Sequence, residues 1–384
     1  MSLTPVPASS TLGVGIVGFG FIGKVHALAY RSLPLMYDPL PFNARLVGVC
    51  TSNASTAEPA RLRGGFDVAV TDYRELLERD DIHIIHVCTP NDQHMELLRD
   101  AIAAGKHIYC DKPLCKTVDE AEEIAELAKN APIVHRVTFN NRFVPAIIRA
   151  KELVNEGFLG EIYQFRVAYL HAGYVDPNRP FSWRLDMSRS GGGAVMDLGA
   201  HAFDLARYLV GNIVEVNAQM ETFIKKRQTG DGASASVDVD DIVIAHAKTA
   251  SGAIGTMEAS RLATGVQDEL RIEIHGSKGA ISYNLMEPNW LTVYDNRLTE
   301  GAYGGTRGPQ RLECVARYPK PYALGATKNP IGWPQIHTHC LHEFLSDIAN
   351  GQLGEPSFAD GLAVQRIVSA CQRSASSRQW ENVG

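Results

Sequence analysis

The sequence predicts an α/β protein of two domains, with a doubly wound parallel sheet in residues 1–140 and a second α/β domain in residues 141–384. Two patterns lead to this fold class. In the first part, short apolar runs alternate with amphipathic segments of helical length, which is typical of right-handed βαβ units. In the second part, strand-length runs follow one another without intervening helices, which indicates a large, mainly antiparallel open sheet.

Five apolar runs predict the buried parallel strands of the first domain. They are Gly13–Val17, Arg45–Cys50, Ile82–Cys88, His107–Cys110 and Ile133–Thr138. The helices predicted between them are Ile22–Ser32, Ser55–Arg63, Asp92–Ala104 and Val118–Lys129. The proline-rich segment Leu33–Asn43 is predicted to be a surface insertion.

In the second domain, glycines and polar clusters separate the predicted elements. The strands are Ile162–Leu170, Val214–Phe223, Ile242–Thr249, Ala253–Ala259, Glu269–His275 and Ala280–Tyr283. The helices are Val144–Glu156, Ala194–Leu209, Ile336–Ala349 and Asp360–Ser374. The last two are expected to pack back on the core, either within the second domain or on the first. Residues 227–236 are predicted to be a polar loop, and residues 296–334 to be irregular.

Composition argues against several classes of partner. The 384 residues are 45% hydrophobic, and a formal net charge of −6 argues against binding to nucleic acid or to an acidic membrane surface. No run approaches the roughly 18–20 apolar residues of a spanning helix, and the first residues do not resemble a secretory signal. Seven scattered cysteines do not form a disulfide pattern, so we expect free thiols in a reducing cytoplasm.

The motif GFGFIG follows the first predicted strand directly and opens the first helix. Gly18 permits a tight turn, Gly20 lets the backbone approach a pyrophosphate, and Gly23 allows close packing of helix on strand. The free amides and positive end of the helix then hold the anion. We therefore predict a dinucleotide-binding Rossmann domain, with Phe21 and Ile22 also contacting the cofactor; a nucleotide-free tight turn is the alternative.

An acidic residue usually follows the second strand of such domains and binds the adenosine ribose. Here Thr51 and Ser52 stand at this place, and no acid follows the strand. Hydroxyl groups can bind a ribose or a 2′-phosphate, and neither repels the phosphate. The cofactor is thus predicted to be NAD or NADP, with a lean to NADP or to the use of both.

The fourth and fifth strands end in polar residues at the edge where ligands of this fold bind. The residues predicted to complete the cofactor site are Thr89, Pro90, Asn91, His94, Asp111 and Lys112. An ammonium group near a bound alcohol can donate a hydrogen bond, stabilise an alkoxide or relay a proton. Lys112, between an acid and a proline, is therefore also a candidate catalytic residue.

A glycine run followed by VMDLGAH forms a second constellation. Asp197 and His201 are four residues apart on a predicted helix, so their side chains share a face, which Asp204 could also share. A histidine beside a carboxylate is suited to proton transfer near neutral pH. The glycines 191–193 would let the chain pass close to a nicotinamide ring; a structural helix with a satisfied His–Asp pair is the alternative.

Taken together, five motifs in this order resemble the glucose–fructose oxidoreductase, inositol dehydrogenase and rhizopine catabolism family (Gfo/Idh/MocA) over essentially the whole chain. They are GFGFIGKVHA, VCTPNDQH, GKHIYCDKP, FNNRFVPA and GGGAVMDLGAHAFD. The insertion at Leu33–Leu40 and the stretch Asn178–Arg184 are similar to the levoglucosan dehydrogenase branch of that family.

The resemblance implies that Lys112, Asp197 and His201 form the catalytic group. His201 would take the hydroxyl proton while the substrate carbon passes hydride to nicotinamide C4; Lys112 would bond the same hydroxyl, and Asp197 would position the substrate. The resemblance also implies a cis Lys112–Pro113 bond. Asp111 departs from the usual glutamate of the motif and puts the exact placement of the lysine in doubt.

Four residues are candidates for recognising a sugar or cyclitol substrate, because aromatic faces stack on sugar rings while amide and guanidinium groups bond hydroxyls. They are Asn140, His171, Trp183 and Arg184. The alternative for Trp183 is a core position, and for Arg184 an ion pair. The run HTHCLH at residues 337–342 has metal-like residue types, but no metal is predicted, because hydride transfer in this family needs none.

The sequence therefore predicts an NAD(P)-dependent oxidoreductase acting on a secondary alcohol of a sugar, anhydrosugar or cyclitol. Two alternatives stay open, a non-catalytic sugar- or cofactor-sensing regulator of the same fold and a glycosidase that uses a tightly held NAD. The resemblance further implies a homodimer or homotetramer that pairs through the second sheet.

Overall fold

The computed structural model describes residues 3–315, 318–324 and 329–384. The chain divides into two compact units. Described residues of Met1–Asn140, Tyr318–Ala326 and Gly332–Ala363 form the first unit, and those of Asn141–Arg317, Thr327–Ile331 and Val364–Gly384 form the second. The first unit thus also takes residues from the carboxyl-terminal part of the chain.

The first unit is built from alternating strands and helices. Its strands are β1 (Thr11–Val17), β2 (Asn43–Cys50), β3 (Val68–Val70), β4 (Ile84–Val87), β5 (His107–Cys110) and β6 (His135–Val137). Its helices up to β6 are α1 (Phe21–Met36), α2 (Ala54–Gly64), α3 (Arg74–Leu77), α4 (His94–Ala103) and α5 (Val118–Lys129). All neighbouring strands are parallel, in the order β3-β2-β1-β4-β5-β6.

This sheet confirms the predicted doubly wound architecture. The strand order reverses between β1 and β4, and ligands of this fold bind at the carboxyl ends of the strands on either side of such a reversal. Strand β3 was missed by the sequence prediction, because it has three half-buried residues and no extended apolar run. Helix α5 begins at a capping box in which Thr117 and Glu120 bond each other's backbone amides.

The second unit contains most of the remaining elements. In chain order the helices are α6 (Pro145–Asn155), α7 (Met187–Ser190), α8 (Ala200–Val210), α9 (Trp333–Asn350) and α10 (Phe358–Ser377). The strands are β7 (Ile162–Leu170), β8 (Ile213–Glu221), β9 (Lys226–Gln228), β10 (Ser234–Ser236), β11 (Ile242–Thr249), β12 (Ile254–Ser260), β13 (Glu269–Gly276), β14 (Gly279–Asn284), β15 (Trp290–Asp295), β16 (Gln310–Glu313) and β17 (Glu381–Asn382). Helix α9 belongs to the first unit, and α10 contributes residues to both units.

Nine strands of the second unit form one sheet in the order β16-β15-β14-β13-β7-β12-β11-β8-β17. Every neighbouring pair is antiparallel except β7 and β12, which run parallel. The prediction of a large, mainly antiparallel sheet is therefore confirmed. Buried and exposed residues alternate along β11, as expected for a strand with one face on the core.

Three predicted segments differ from the structure. The predicted loop 227–236 contains β9 and β10, which pair as a separate hairpin. The region 296–334 contains β16, and its last residues begin α9. The predicted insertion Leu33–Asn43 is not wholly on the surface, because α1 continues to Met36 and because Tyr37 and Phe42 are buried. Apolar side chains at helical spacing extend α1, which packs against α9.

The cysteines are all free and buried, as the sequence predicted. Among the described residues, no helix combines the length and the apolar character that crossing a bilayer requires.

Candidate active site

The three glycines after β1 differ in what surrounds them. Gly18 has a φ of +89°, and a Cβ there would lie 2.4 Å from the carbonyl oxygen of Cys88. A Cβ on Gly23 would lie 2.1 Å from the carbonyl oxygen of Gly18, so α1 and the turn touch here. A Cβ on Gly20 would meet nothing within 4 Å. The fold itself therefore requires Gly18 and Gly23, whereas open space adjoins Gly20.

The amino terminus of α1 suits an anion. Gly20 is its N-cap, no side chain caps the helix, and no acidic residue lies in its first turn. The hydroxyl oxygen of Thr89, at the end of the neighbouring strand, is buried without a hydrogen-bond partner among the described residues. The uncapped amino terminus of α1, with open space at Gly20, fits the phosphates of a dinucleotide.

Phe21 is 73% exposed and stacks on Trp333, with ring centroids 5.6 Å apart. Ile22 beside it is half-buried. Trp333 lies at the start of α9, in a region that the sequence analysis treated as irregular, so sequence reasoning missed this neighbour of the glycine turn. The available sequence signal was Pro334 directly after Trp333, because proline is common in the first turn of a helix.

The end of β2 is polar but uncharged. The hydroxyl of Thr51 lies 2.8 Å from that of Thr56, and Asn53 caps α2 by accepting from the Thr56 amide. Ser52 is exposed. These contacts leave hydroxyl groups, and no carboxylate, at the place where ribose recognition is expected.

Lys112 lies in the turn after β5, and the Lys112–Pro113 peptide is cis, which confirms the expectation. The preceding Asp111 accepts a hydrogen bond of 2.7 Å from the hydroxyl of Thr138. Burial raises the pKa of Asp111, and the charge of Lys112 and the Thr138 hydrogen bond oppose this rise. Asp111 therefore packs into the turn that presents Lys112.

His94 has a structural place behind this turn. It is 1% exposed, its Nδ1 lies 3.1 Å from the carbonyl oxygens of Pro113 and Leu114, and its Nε2 lies 3.1 Å from that of Thr89. The sequence analysis predicted a direct cofactor contact for His94. Its ring lies among these backbone oxygens and connects the segments that follow β4 and β5, and the cofactor contact stays a prediction. Asn91 is likewise buried, whereas Pro90 is half-buried.

In the second unit, Asp197 lies in a π-helical turn, Val195–Gly199, rather than in the regular helix predicted there. Single π turns inside helices occur frequently at functional sites. Both oxygens of the buried Asp240 carboxylate accept from the backbone at the start of this turn, at 2.7 Å from Gly193 and 2.8 Å from Val195. Burial raises the pKa of Asp240, and these hydrogen bonds oppose the rise.

The same contacts explain the glycine run. A Cβ on Gly193 would lie 1.8 Å from the carbonyl oxygen of Asp240, and Gly191 has a φ of +76° at the end of α7. The sequence analysis attributed these glycines to the approach of a nicotinamide ring. Close packing within the second unit already requires Gly193, and the left-handed backbone favours glycine at 191.

Two arginines hold the carboxylates of this region. Arg261, just after β12, donates to Asp197 at 3.1 Å. Arg142 and Asp204 form a buried, forked ion pair with contacts of 2.6 to 3.1 Å. Asp204 is therefore a partner of Arg142 and not a further member of the Asp197–His201 face. Neither arginine was identified as a candidate from the sequence.

His201, in the first turn of α8, lies beside Asn141 and Tyr169. The Nδ1 atom of His201 is 3.3 Å from the amide nitrogen of Asn141, and its ring meets the Tyr169 ring edge to face at 5.7 Å. The sequence analysis named Asn140, the buried neighbour of Asn141, and missed Asn141. The sequence alone does not show which of two adjacent asparagines in a turn points its side chain at His201.

The predicted substrate residues occupy the segment after β7. His171 is half-buried, and burial lowers its pKa while nearby Asp197 opposes this change. Trp183 is half-buried, so it is not a core residue, and the exposed Arg184 places its guanidinium 4.4 Å from the Trp183 ring centre. The pair forms an open aromatic and cationic surface.

Within the described residues, one group has the residue types and spacing of a metal site: His339, His342 and Glu343, with ligand atoms within 4.8 Å. One hydrogen bond joins two of its members, since His342 Nδ1 lies 3.0 Å from Glu343, and His339 Nδ1 lies 2.8 Å from the Tyr37 hydroxyl outside the cluster. Lys112 and the cluster belong to the first unit; Asp197 and His201 belong to the second.

Comparison with known proteins identifies the family of both parts of the chain. Residues 12–139 match the oxidoreductase family with an NAD-binding Rossmann fold, and residues 147–282 match the GFO/IDH/MocA carboxyl-terminal domain. Levoglucosan dehydrogenase of Pseudarthrobacter phenanthrenivorans is 37% identical over 97% of this chain and 98% of its own length. Inositol 2-dehydrogenase of Rhizobium meliloti is 29% identical over 96% of this chain and 98% of its own.

Solved structures show the same likeness. A levoglucosan dehydrogenase in complex with NADH and levoglucosan has a TM-score of 0.93 and 36% identity, covering 97% of this chain and 100% of that one. An oxidoreductase domain protein from Kribbella flavida has a TM-score of 0.92 and 39% identity, covering 98% and 100%. The chain belongs to the GFO/IDH/MocA family of NAD-binding oxidoreductases.

Proposed function

We propose that this oxidoreductase dehydrogenates a secondary alcohol of a sugar, with the anhydrosugar levoglucosan as the first candidate and inositols as the second. The observation that carries the proposal is the 37% identity with a levoglucosan dehydrogenase along 97% of the chain. The open Trp183–Arg184 surface supports it, since an aromatic face and a guanidinium suit a ring with hydroxyl groups.

Lys112, Asp197 and His201 are the proposed catalytic residues. A bound nicotinamide supplies the hydride acceptor. His201 takes the proton of the reacting hydroxyl, Lys112 donates a hydrogen bond to the same oxygen, and Asp197 orients the substrate. Gly18, Gly20, Phe21, Ile22 and Gly23 would hold the dinucleotide at the amino terminus of α1, together with the end of β4.

Asn141 is the residue that would set the tautomer of His201. The amide oxygen of Asn141 is buried and has no partner among the described residues, and the amide group contacts Nδ1 of the ring. The structure places the amide nitrogen at Nδ1. In the reverse placement of the amide, the oxygen accepts from the Nδ1 N–H, and Nε2 keeps the lone pair that a general base requires.

Replacing Lys112 tests the assignment. Lys112→Ala should abolish turnover while NADH still binds, because the lysine acts on the substrate hydroxyl. Lys116→Ala is the matched control, since Lys116 lies four residues further along and its ammonium group, on a half-buried side chain, pairs with Glu120 at 3.8 Å. Turnover would be measured as absorbance at 340 nm, and NADH binding by calorimetry. Unchanged turnover in Lys112→Ala would refute the catalytic role.

A panel of anhydrosugars, sugars and inositols separates the proposal from its alternatives. A dehydrogenase produces free NADH with one of them. A non-catalytic regulator would bind a sugar without turnover, and a glycosidase with tightly held NAD would release no net NADH.

The cofactor choice rests on the end of β2. Relatives of this chain bind NADH, and the hydroxyls of Thr51 and Ser52 place no carboxylate against a 2′-phosphate. We therefore propose that the enzyme uses NAD and also accepts NADP. Comparison of kcat/KM for both cofactors tests this, and a preference of more than a thousandfold for NAD would contradict it.

The nine-stranded sheet supports a homodimer or homotetramer. Ile244 and Ile254 lie on the neighbouring strands β11 and β12, on the same face of the sheet. Their side chains are 48% and 57% exposed. Light scattering of the wild type and of Ile244→Glu tests this, and a monomeric wild type would refute it. Free, buried cysteines support a reducing cytoplasm as its location.

A further inference from the structure

Arg261 is a buried cation directly behind a proposed catalytic carboxylate. It is 1% exposed, and its Nη2 lies 3.1 Å from Oδ2 of Asp197, whose side chain is 26% exposed. The ion pair thus joins a cation that solvent does not reach to an anion that a ligand can reach. Burying a charge is costly unless it is paired, so Asp197 is part of what keeps Arg261 inside the second unit.

The backbone of Arg261 is anchored by two hydrogen bonds, and its guanidinium lies over an aromatic ring. Its backbone amide donates to the carbonyl oxygen of Asp241 at 3.0 Å, and its carbonyl oxygen accepts from the amide of Tyr174 at 3.2 Å. The guanidinium carbon also lies 4.7 Å from the centre of the Tyr174 ring. A planar guanidinium over an aromatic ring points its N–H groups at a carboxylate in a defined direction, whereas the ammonium of a lysine rotates freely.

Arg261 also contacts the segment that carries the predicted substrate residues. Its Nη1 donates to the carbonyl oxygen of Arg184 at 3.4 Å. Arg184 lies in the short helical turn Trp183–Leu185, and Leu185 belongs to the buried cluster that contains Tyr174. One side chain therefore touches both the Asp197 carboxylate and the backbone of the open Trp183–Arg184 surface.

We propose that Arg261 is a positioning residue of the dehydrogenase, which holds the Asp197 carboxylate in place and ties the Trp183–Leu185 turn to it. The inference rests on the proposed role of Asp197. Because Arg261 is buried, it acts through Asp197 and does not touch the substrate. Its positive charge also acts to lower the pKa of His171 and of Asp240.

Several titratable or charged groups surround this pair and would all respond to the loss of its cation. They are Tyr169 and His171, at and just after the end of β7, and Asp240, before β11. Around them, Asp268 interacts electrostatically with Tyr169 and His171, and the His201 ring meets that of Tyr169. Since removal of a positive charge raises the pKa of every neighbour, the direction of the effect is the same for each of them.

Arg261→Met tests the inference, with Arg227→Met as the matched control. Arg227 is 2% exposed and lies near the same Tyr174 ring, but it donates to the backbone oxygens of Tyr174 and Asp176. In Arg261→Met, kcat should fall on the order of 100-fold, and the acid limb of the pH–rate profile should move up by about one to three units. Arg227→Met should leave the acid limb in place.

Arg261→Lys separates charge from geometry. It should return the acid limb towards the wild-type position while kcat stays low, because the charge is kept and the stacked fork is lost. NADH affinity, measured by calorimetry, should be unchanged in every variant, and circular dichroism should show that each one is folded.

A double-mutant cycle completes the test. In an Asp197→Asn background, Arg261→Met should cost little further activity, because the partner through which it acts is already gone. An equal loss in both backgrounds, or an acid limb that does not move in folded Arg261→Met, would overturn the inference. A wild type that oxidises no sugar refutes the proposed function instead, so the two failures are distinguishable.

Discussion

Replacing Asp204 by alanine should destabilise the second unit far more than replacing a surface acid. The Arg142 and Asp204 side chains are 3% and 2% exposed, and their contacts of 2.6 to 3.1 Å form a two-pronged fork. Removing one partner breaks the buried pair and leaves the other charge without the fork, which costs about 3–5 kcal/mol. At about 2–4 °C per kcal/mol for a unit of this size, the melting temperature should fall by about 6–20 °C.

The matched control is Glu273→Ala, in the same unit. Glu273 pairs with Arg166 at 3.2 Å, but the two side chains are 40% and 52% exposed, so solvent screens the pair. Exposed pairs contribute about 0–1 kcal/mol. Differential scanning calorimetry and urea unfolding followed by circular dichroism would give the melting temperature and the free energy of unfolding for both variants.

The double variant Arg142→Met/Asp204→Leu tests the physical cause. Apolar side chains of similar volume remove both buried charges together, and such replacements are often neutral or stabilising. The double variant should therefore recover most of the stability that Asp204→Ala loses. If Asp204→Ala unfolds at the same urea concentration as Glu273→Ala, the ion pair does not contribute as a buried charge and the reasoning is refuted.

The glycine turn and the buried histidines give two further predictions. Gly20→Ala should fold normally and bind NADH more weakly, whereas Gly18→Ala should lose stability, because only the latter Cβ meets protein backbone and a φ of +89°; thermal melts with and without NADH would show both, and equal melts of the free proteins would contradict this. Burial lowers the pKa of His86 and of His337 to about 3, so below the unfolded value of about 6.5 only the unfolded chain takes up their protons. Stability should be full above pH 6.5 and fall towards pH 3 by up to about 1.4 kcal/mol per pH unit for each histidine, and the loss should shrink in His337→Phe. A pH-independent melting temperature between pH 7 and 4 would refute this.

The local sequence pattern was sufficient to predict a strand where a single segment contains a complete apolar run. The strands β5, β7 and β11 lie within their predicted bounds, because apolar runs bounded by polar residues identify buried strands. Short segments such as β3 and the β9–β10 hairpin escaped, because three residues carry too little periodicity to be separated from a loop.

For the candidate site, the sequence by itself was enough to single out the glycine turn, Lys112, Asp197 and His201 as candidates, since each lies in a motif whose residues are adjacent along the chain. Only the tertiary structure decided their neighbours. Arg261 reaches Asp197 across 64 residues, and Asn141 reaches His201 across 60. Spacing along the chain does not encode such contacts, because the packing of the sheet sets them. The same packing assigned Asp204 to Arg142 and Gly193 to Asp240, and so replaced two functional interpretations by structural ones.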